Sequence, residues 1–198
     1  MSGAAIRILA GSQVAPYLED LARLRIAVFR DYPYLYDGDA AYEREYLATY
    51  ASHPGSVFVL AVDDGAVVGA STGVPMSGEP EAVQSPWRKA GVDPATVFYF
   101  GESVLLPRWR GQGLGHAFFD ARQAHAQALG GFRLTCFCAV ERPPDHPARP
   151  SHWRPLDGFW RSRGYRRHDD LTCTMHWREV GDAEETPHRL AFWSRPLT

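Results

Sequence analysis

The residues best placed to do chemistry stand together between Phe98 and Phe119. Phe98-Tyr-Phe-Gly-Glu-Ser-Val-Leu-Leu-Pro107 reads as a buried strand. Arg108-Trp-Arg-Gly-Gln-Gly-Leu-Gly115 reads as a glycine-rich turn, and His116-Ala-Phe-Phe119 as the first turn of an amphipathic helix. Such a turn exposes backbone N–H groups, and a helix N-terminus adds partial positive charge. Together they make a seat for a phosphate group. Glycines at 111, 113 and 115 leave the backbone open to a ligand. A Walker loop needs a Lys-Ser/Thr pair that is missing after Gly115, and Gly-x-Gly-x-Gly is not the dinucleotide fingerprint.

A sheet and its helices must position this stretch. Ile6–Leu9 predicts a first strand. Ser12 stands at an N-cap position, and Leu18, Leu21, Leu24, Arg25, Val28 and Phe29 follow at helical spacing. Asp39 is placed to cap a second helix carrying Tyr42, Tyr46, Leu47 and Tyr50, which Pro54-Gly55 ends. Asp63-Asp64-Gly65 between two β-branched runs, Val57–Val62 and Ala66–Thr72, predicts a hairpin. The Pro/Gly-rich stretch 75–94 has room for a short helix over Glu81–Lys89. After the glycine turn a helix runs to Leu129, with Ala117, Phe118, Ala121, Ala124, Ala128 and Leu129 as its apolar face and Gly130-Gly131 as its end. Phe132–Val140 predicts a strand parallel to its predecessor by a right-handed crossover. Four prolines between 143 and 150 make residues 141–154 a loop. A short helix then starts at Pro155 and is capped by Gly164. Leu171–Trp177 and Leu190–Trp193 form a final pair of strands.

Composition sets the frame. A chain of 198 residues suits one domain with a sizeable core, and 45% hydrophobic with 22% charged residues is ordinary for a globular protein. A formal charge of −2 gives no hint of a nucleic-acid partner. No apolar run approaches the ~20 residues of a membrane span, and the N-terminus lacks the features of a signal peptide. A cytoplasmic protein with no membrane partner is expected. Cys136, Cys138 and Cys173 have no metal-ligand spacing and are expected to be buried free thiols. Asp145, His146 and His152 match no common metal pattern either, so no metal is expected.

Arg110-Gly-Gln-Gly113-Leu-Gly115 matches Arg/Gln-x-x-Gly-x-Gly/Ala and resembles the pyrophosphate-binding signature of the GNAT superfamily of acyl-CoA N-acyltransferases. A plain glycine-rich strand–helix turn is the competing reading. The preceding Val104-Leu-Leu-Pro107 is similar to the family's strand that hydrogen-bonds pantetheine. The element order resembles the whole GNAT fold, an α/β (α+β) architecture. That resemblance implies a single mixed central sheet of about seven strands flanked by helices, in one acyltransferase domain over residues 1–198. Trp160-Arg-Ser-Arg-Gly164-Tyr165 matches the family's Tyr-x-x-x-Gly-Phe/Tyr except that Trp160 replaces the Tyr. In many members that Tyr protonates the departing thiolate, which an indole cannot do.

The resemblance implies direct transfer of an acetyl group from acetyl-CoA to a primary amine of a small molecule or peptide. The cofactor set it implies is Leu105, Leu106, Arg110, Gly111, Gln112, Gly113, Leu114, Gly115 and His116, with Phe159 and Trp160 beside the pantetheine. Glu102 is the first candidate for accepting the ammonium proton, with a salt-bridged carboxylate as the alternative. A bulge frees a backbone N–H for the carbonyl oxygen in this family, and by position that donor lies around Leu105. Asp157 and Tyr165 are candidate acids, and protonation by solvent is the alternative to both. Tyr34, Tyr36 and Asp37, beside Tyr32, fall in the family's variable acceptor segment and suggest an aromatic, mildly acidic pocket. Aromatic packing between two helices explains them equally. The loop 141–154 reads as a lid. A homodimer paired through the final strand is a further expectation. The chief alternative function is a non-catalytic acyl-CoA-binding or regulatory module; a nucleotide-binding phosphotransferase is the third.

Overall fold

The computed structural model of the chain describes residues 3–198. Seven strands form one mixed sheet: β1 (Ala5–Ala10), β2 (Val57–Asp63), β3 (Ala66–Pro75), β4 (Val97–Leu105), β5 (Leu134–Val140), β6 (Arg166–Arg178) and β7 (Glu185–Pro196). Their spatial order is β1-β2-β3-β4-β5-β7-β6, with only β4 and β5 parallel. Helices α1 (Leu18–Phe29), α2 (Ala40–Ser52) and α3 (Glu81–Lys89) cover one face. On the other lie α4 (Leu114–Leu129) and α5 (Asp157–Ser162).

Continuous apolar runs make strands that can be buried on both faces. In β2, Phe58, Leu60 and Val62 enter the core under α1 and α2, while Val57, Val59 and Ala61 enter the core under α4. The β2–β3 turn has positive φ at both Asp64 (45°) and Gly65 (80°), as a tight two-residue hairpin turn requires. Asp39 caps α2 by accepting the N–H of Tyr42 at 2.9 Å.

Three sequence expectations are corrected. Ser12 caps nothing: residues 11–17 form a 3₁₀ segment, and α1 starts only at Leu18. Pro16 lies in that segment, and its missing N–H prevents a regular α-helical ladder there. The buried face of α4 is Leu114, Phe118, Phe119, Arg122 and Ala126, whereas Ala124, Ala128 and Leu129 are exposed. The helix is rotated so that its bulky rings, and with them one arginine, enter the core. The final strand is not an edge. β7 lies between β5 and β6, pairing with β5 over residues 190–196 and with β6 over residues 185–194, so it is an inner strand and not a free edge.

Two irregularities in β4 position everything that follows. Its parallel pairing with β5 covers only Val97–Leu134, Phe98–Thr135 and Tyr99–Cys136, after which the strands diverge. On its other side the register against β3 shifts between Ser71–Ser103 and Gly73–Phe100. Two residues, Gly101 and Glu102, thus face the single residue Thr72. This bulge reverses the alternation of the strand. Phe98 and Phe100 point toward α4, but Val104 points toward α1 and α2, where strict alternation would have put it with Phe98.

Candidate active site

Divergence of β4 from β5 opens a cleft of about 970 Å³. Beyond Tyr99 one edge of β4 has lost its partner strand. Leu106 donates its N–H to Val68 on β3 at 3.0 Å, so by alternation the N–H of Leu105 and the polar backbone groups of Ser103 face the opened side. The carbonyl of Leu105 is met there by Arg110 Nε at 3.1 Å. An exposed strand edge of this kind pairs with any extended chain carrying amide groups.

At the mouth of the cleft the chain turns from β4 into α4. Gly111 (φ 74°) and Gly113 (φ 84°) adopt left-handed backbone conformations that other residues take only at a cost. The N–H groups of Gly111 through Gly115 have no acceptor among the described residues. A Cβ built on Gly111 or Gly113 would meet nothing within 4 Å, so the space above these amides is open. Gly115 rests instead on the ring of Phe159, 3.4 Å from the position a Cβ would take. Five free donors at the start of a 16-residue helix fit a pyrophosphate.

Of the predicted cofactor residues, Leu105, Arg110, Gly111, Gly113, Gly115, His116, Phe159 and Trp160 line the cleft. Leu106, Gln112 and Leu114 do not. Gln112 turns back to donate to the carbonyl of Arg108 at 2.8 Å, and Leu114 is buried in the core under α4. Phe159 packs edge-on to His116 and Phe119, and Trp160 packs on Phe137 and Trp193.

Glu102 lines the floor of the cleft, yet its Oε2 is 2.6 Å from Nη1 of Arg25, and its side chain is 8% exposed. Arg25 also bonds Glu43 through Nε, and its guanidinium lies over the rings of Tyr46 and Phe29. Burial alone would push the Arg25 pKa down, but Glu102, Tyr46 and Glu43 outweigh it and raise it, so the charge is permanent. The predicted carboxylate is therefore present and held in one orientation by an arginine.

The bulge lies at Gly101–Glu102, three residues before the expected donor Leu105. Gly101 is required there: a Cβ would come within 2.5 Å of Thr72 Oγ1 and 2.8 Å of the Tyr50 hydroxyl. On the α4 side the bulge is filled by Arg122, whose Nη1 donates to the carbonyls of Thr72 (3.1 Å) and Glu102 (3.2 Å) while Nη2 donates to Ser103 Oγ (2.9 Å).

Asp157 borders the cleft, with Oδ2 3.5 Å from Arg161. Tyr165 does not border it. At 2% exposure it sits among Phe100, Phe119 and Phe137, and its hydroxyl is bonded to Thr135 Oγ1 at 2.8 Å. Burial pushes its pKa up to about 12. In this position the hydroxyl faces Thr135 and not the cleft.

The acceptor end also differs from expectation. Tyr34 borders the cleft, its ring packed at a tilt against Phe29 and Trp177. Tyr36 and Asp37 lie away from it: Tyr36 pairs with Glu179 through the backbone, and Asp37 is held by Arg30 and Arg178. Asp31 and Tyr32 take their place. Loop 141–156 closes over this end, with Tyr32 packed on His146 and Trp153. Arg142 anchors the loop by donating to the carbonyls of Pro33 (2.7 Å) and Tyr34 (3.0 Å). Arg25 stands in the helical series of α1 without a role assigned to it from sequence, and the signal that sequence reading passed over was Arg122 on the otherwise apolar face of α4.

The comparisons with known proteins agree with this geometry. No curated protein sequence matches the chain significantly. Among solved structures, a ribosomal-protein-alanine N-acetyltransferase from Brucella melitensis is similar at 15% identity and a TM-score of 0.63, over 98% of this chain and 99% of that one. An N-acetyltransferase from Staphylococcus aureus Mu50 matches at 16% identity and a TM-score of 0.61, over the full length of both chains. A Salmonella typhimurium structure containing its cofactor acetyl-CoA matches at 15% identity and a TM-score of 0.57, over 100% of this chain and 95% of that one. At these identities the likeness is one of fold. The family model for the acetyltransferase (GNAT) family matches residues 19–157, from α1 through the glycine turn to the start of α5, and the chain belongs to that family.

Proposed function

We propose that this acetyltransferase moves an acetyl group from acetyl-CoA to a primary amine of a small molecule or peptide, by direct attack within a ternary complex in the cytoplasm. The observation that carries the reading is one continuous cleft. It joins the free amides of Gly111–Gly115, the unpaired edge of β4 and the carboxylate of Glu102. All three belong to a single sheet and its helices, which supports treating the chain as one acyltransferase domain.

Acetyl-CoA, when bound, supplies an acetyl group activated as a thioester. The amides of 111–115 and Arg110 hold its phosphates, and Ser103 and Leu105 offer hydrogen bonds to its amide-bearing arm. The Leu105 N–H faces the cleft, where a donor stabilises negative charge on a carbonyl oxygen. An alkylammonium has a pKa of ~10.4, so freeing its lone pair at pH 7 costs about 4–5 kcal/mol. Glu102 accepts that proton, directly or through water, and Arg25 keeps it aimed at the cleft. Asp31, Tyr32 and Tyr34 receive the amine. Asp157 is the remaining side-chain acid near the departing sulfur, with solvent as its rival.

Release of CoA thiol in the presence of a panel of primary amines tests the reading. Turnover with at least one amine, reduced in Glu102→Gln most strongly below the amine's pKa, is expected. Tight binding of acetyl-CoA without turnover on any amine would overturn transfer.

A further inference from the structure

Arg122 is 1% exposed and yet borders the cleft. A buried guanidinium ordinarily has a carboxylate partner, because burying an unpaired charge is costly. Arg122 has none. Its acceptors are the carbonyls of Phe118, Thr72 and Glu102 and the hydroxyl of Ser103, and its planar face lies over the rings of Phe100 (4.2 Å) and Phe119 (4.9 Å). Burial lowers its pKa to about 10, so it remains a cation at neutral pH.

The charges around it leave that cation directed at the cleft. The Glu102 carboxylate is taken up by Arg25 on the opposite face of the sheet, with Glu43 behind it. The other titratable neighbours are the phenols of Tyr50 on α2 and Tyr165 before β6, and both are held neutral by burial. Arg122 Nη2 reaches Ser103, within the stretch of β4 that has left β5. A ligand seated by its phosphates at Gly111–Gly115 and running inward along Leu105 places its far end beside Ser103.

We infer that Arg122 is the positive group that holds the sulfur of CoA as its thiolate. The inference rests on the acetyl-CoA reading above. As the amine nitrogen bonds the acetyl carbon, the carbon–sulfur bond breaks and leaves its electron pair on sulfur; of the two protons the ammonium gives up in becoming an amide, the first passes to Glu102 before attack and the second to solvent as the new bond forms. A cation beside the sulfur stabilises that charge, so no tyrosine need deliver a proton at that moment, and solvent supplies it afterwards. This accounts for a cleft with Trp160 at the family's Tyr position and Tyr165 buried out of reach.

The test is an ultraviolet titration of the thiol of CoA bound to the whole protein, referenced to the complex with S-methyl-CoA, which has no thiol. A free thiol titrates near ~8.5. Bound to the parent protein it is expected at least tenfold more ionised at a given pH. Arg122→Lys retains part of the shift, and Arg122→Met returns the titration to that of free CoA. Calorimetry with S-methyl-CoA reports binding separately. Tight binding with an unshifted thiol in the parent, or a shift that survives in Arg122→Met, would overturn the role of Arg122 alone. Failure of CoA to bind would overturn the acetyl-CoA reading and this inference with it. If Arg122→Met does not fold, the parent and Arg122→Lys still decide.

Discussion

Arg25 Nη1 and Glu102 Oε2 stand 2.6 Å apart at the floor of the cleft, and the same guanidinium holds Glu43 through its Nε. One α1 residue thus ties α2 to the central strand while orienting the candidate base. Both carboxylates depend on it, since Glu43 is 1% exposed and its Oε1 has no hydrogen-bond partner among the described residues. Arg25→Gln leaves two buried carboxylates without their shared cation, and breaking a buried pair in this way costs about 3–5 kcal/mol. Urea unfolding measures it. Arg25→Lys is expected to recover only part, because an ammonium lacks the fork that reaches both partners.

Gly113 tests the phosphate seat. Its φ of 84° strains any side chain by about 1–2 kcal/mol, and the space a Cβ would enter is otherwise empty. Gly113→Val is therefore expected to fold with a modest stability loss and to lose at least tenfold in affinity for acetyl-CoA. Calorimetric titration reads the affinity; an unchanged Kd would refute the seat.

The seat was legible in the sequence because its chemistry is local: glycine spacing, a strand before it and a helix after it suffice. The sheet was legible too, since β2, β5 and the first half of β4 are runs of mainly apolar, β-branched and aromatic residues and β3 opens on one. Glu102 shows where legibility ends. By strict alternation it would share the face of Phe98 and Phe100, under α4; the bulge at Gly101 carries it to the α1 side, where Arg25 waits. A bulge is set by contacts across the sheet, here Thr72, Tyr50 and Arg122, and leaves no period in the chain itself. Tyr36 and Asp37 failed for a similar reason. Arg30 is near in sequence, but Arg178 and Glu179 come from the end of β6 and the residue after it, and nothing around residue 36 announces those two.

Glu79, after β3, gives the fold a pH dependence. Burial, opposed in part by the Tyr50 hydroxyl and aided by Glu102, raises its pKa from 4.5 to about 7. Between those values the native carboxyl keeps a proton that the unfolded chain has already lost. Stability therefore falls as pH rises from 4.5 to 7 and is level above that. At ~1.4 kcal/mol per pH unit the full loss is about 3 kcal/mol. Glu79→Gln removes the dependence: it should match the parent near pH 4 and exceed it at pH 8, as read by chemical denaturation across that range. Parallel stability curves for the two proteins would refute the assignment.

Tyr165 separates position from sequence motif. It directly follows the glycine of the Trp160–Tyr165 landmark and is close in sequence to the cleft-lining Phe159 and Trp160. A catalytic reading predicts that Tyr165→Phe abolishes turnover and erases the alkaline limb of its pH profile. The structure predicts otherwise. The hydroxyl is spent on Thr135 in the core beside Phe137, and the guanidinium of Arg195 lies over its ring. Tyr165→Phe removes one buried hydrogen bond and leaves Thr135 Oγ1 to find another partner. The expected result is about 1 kcal/mol less stability with kcat and its pH dependence unchanged within twofold. A pH–rate profile beside a melting curve distinguishes the two, because a loss of rate without loss of stability would mean that the hydroxyl leaves Thr135 during the reaction.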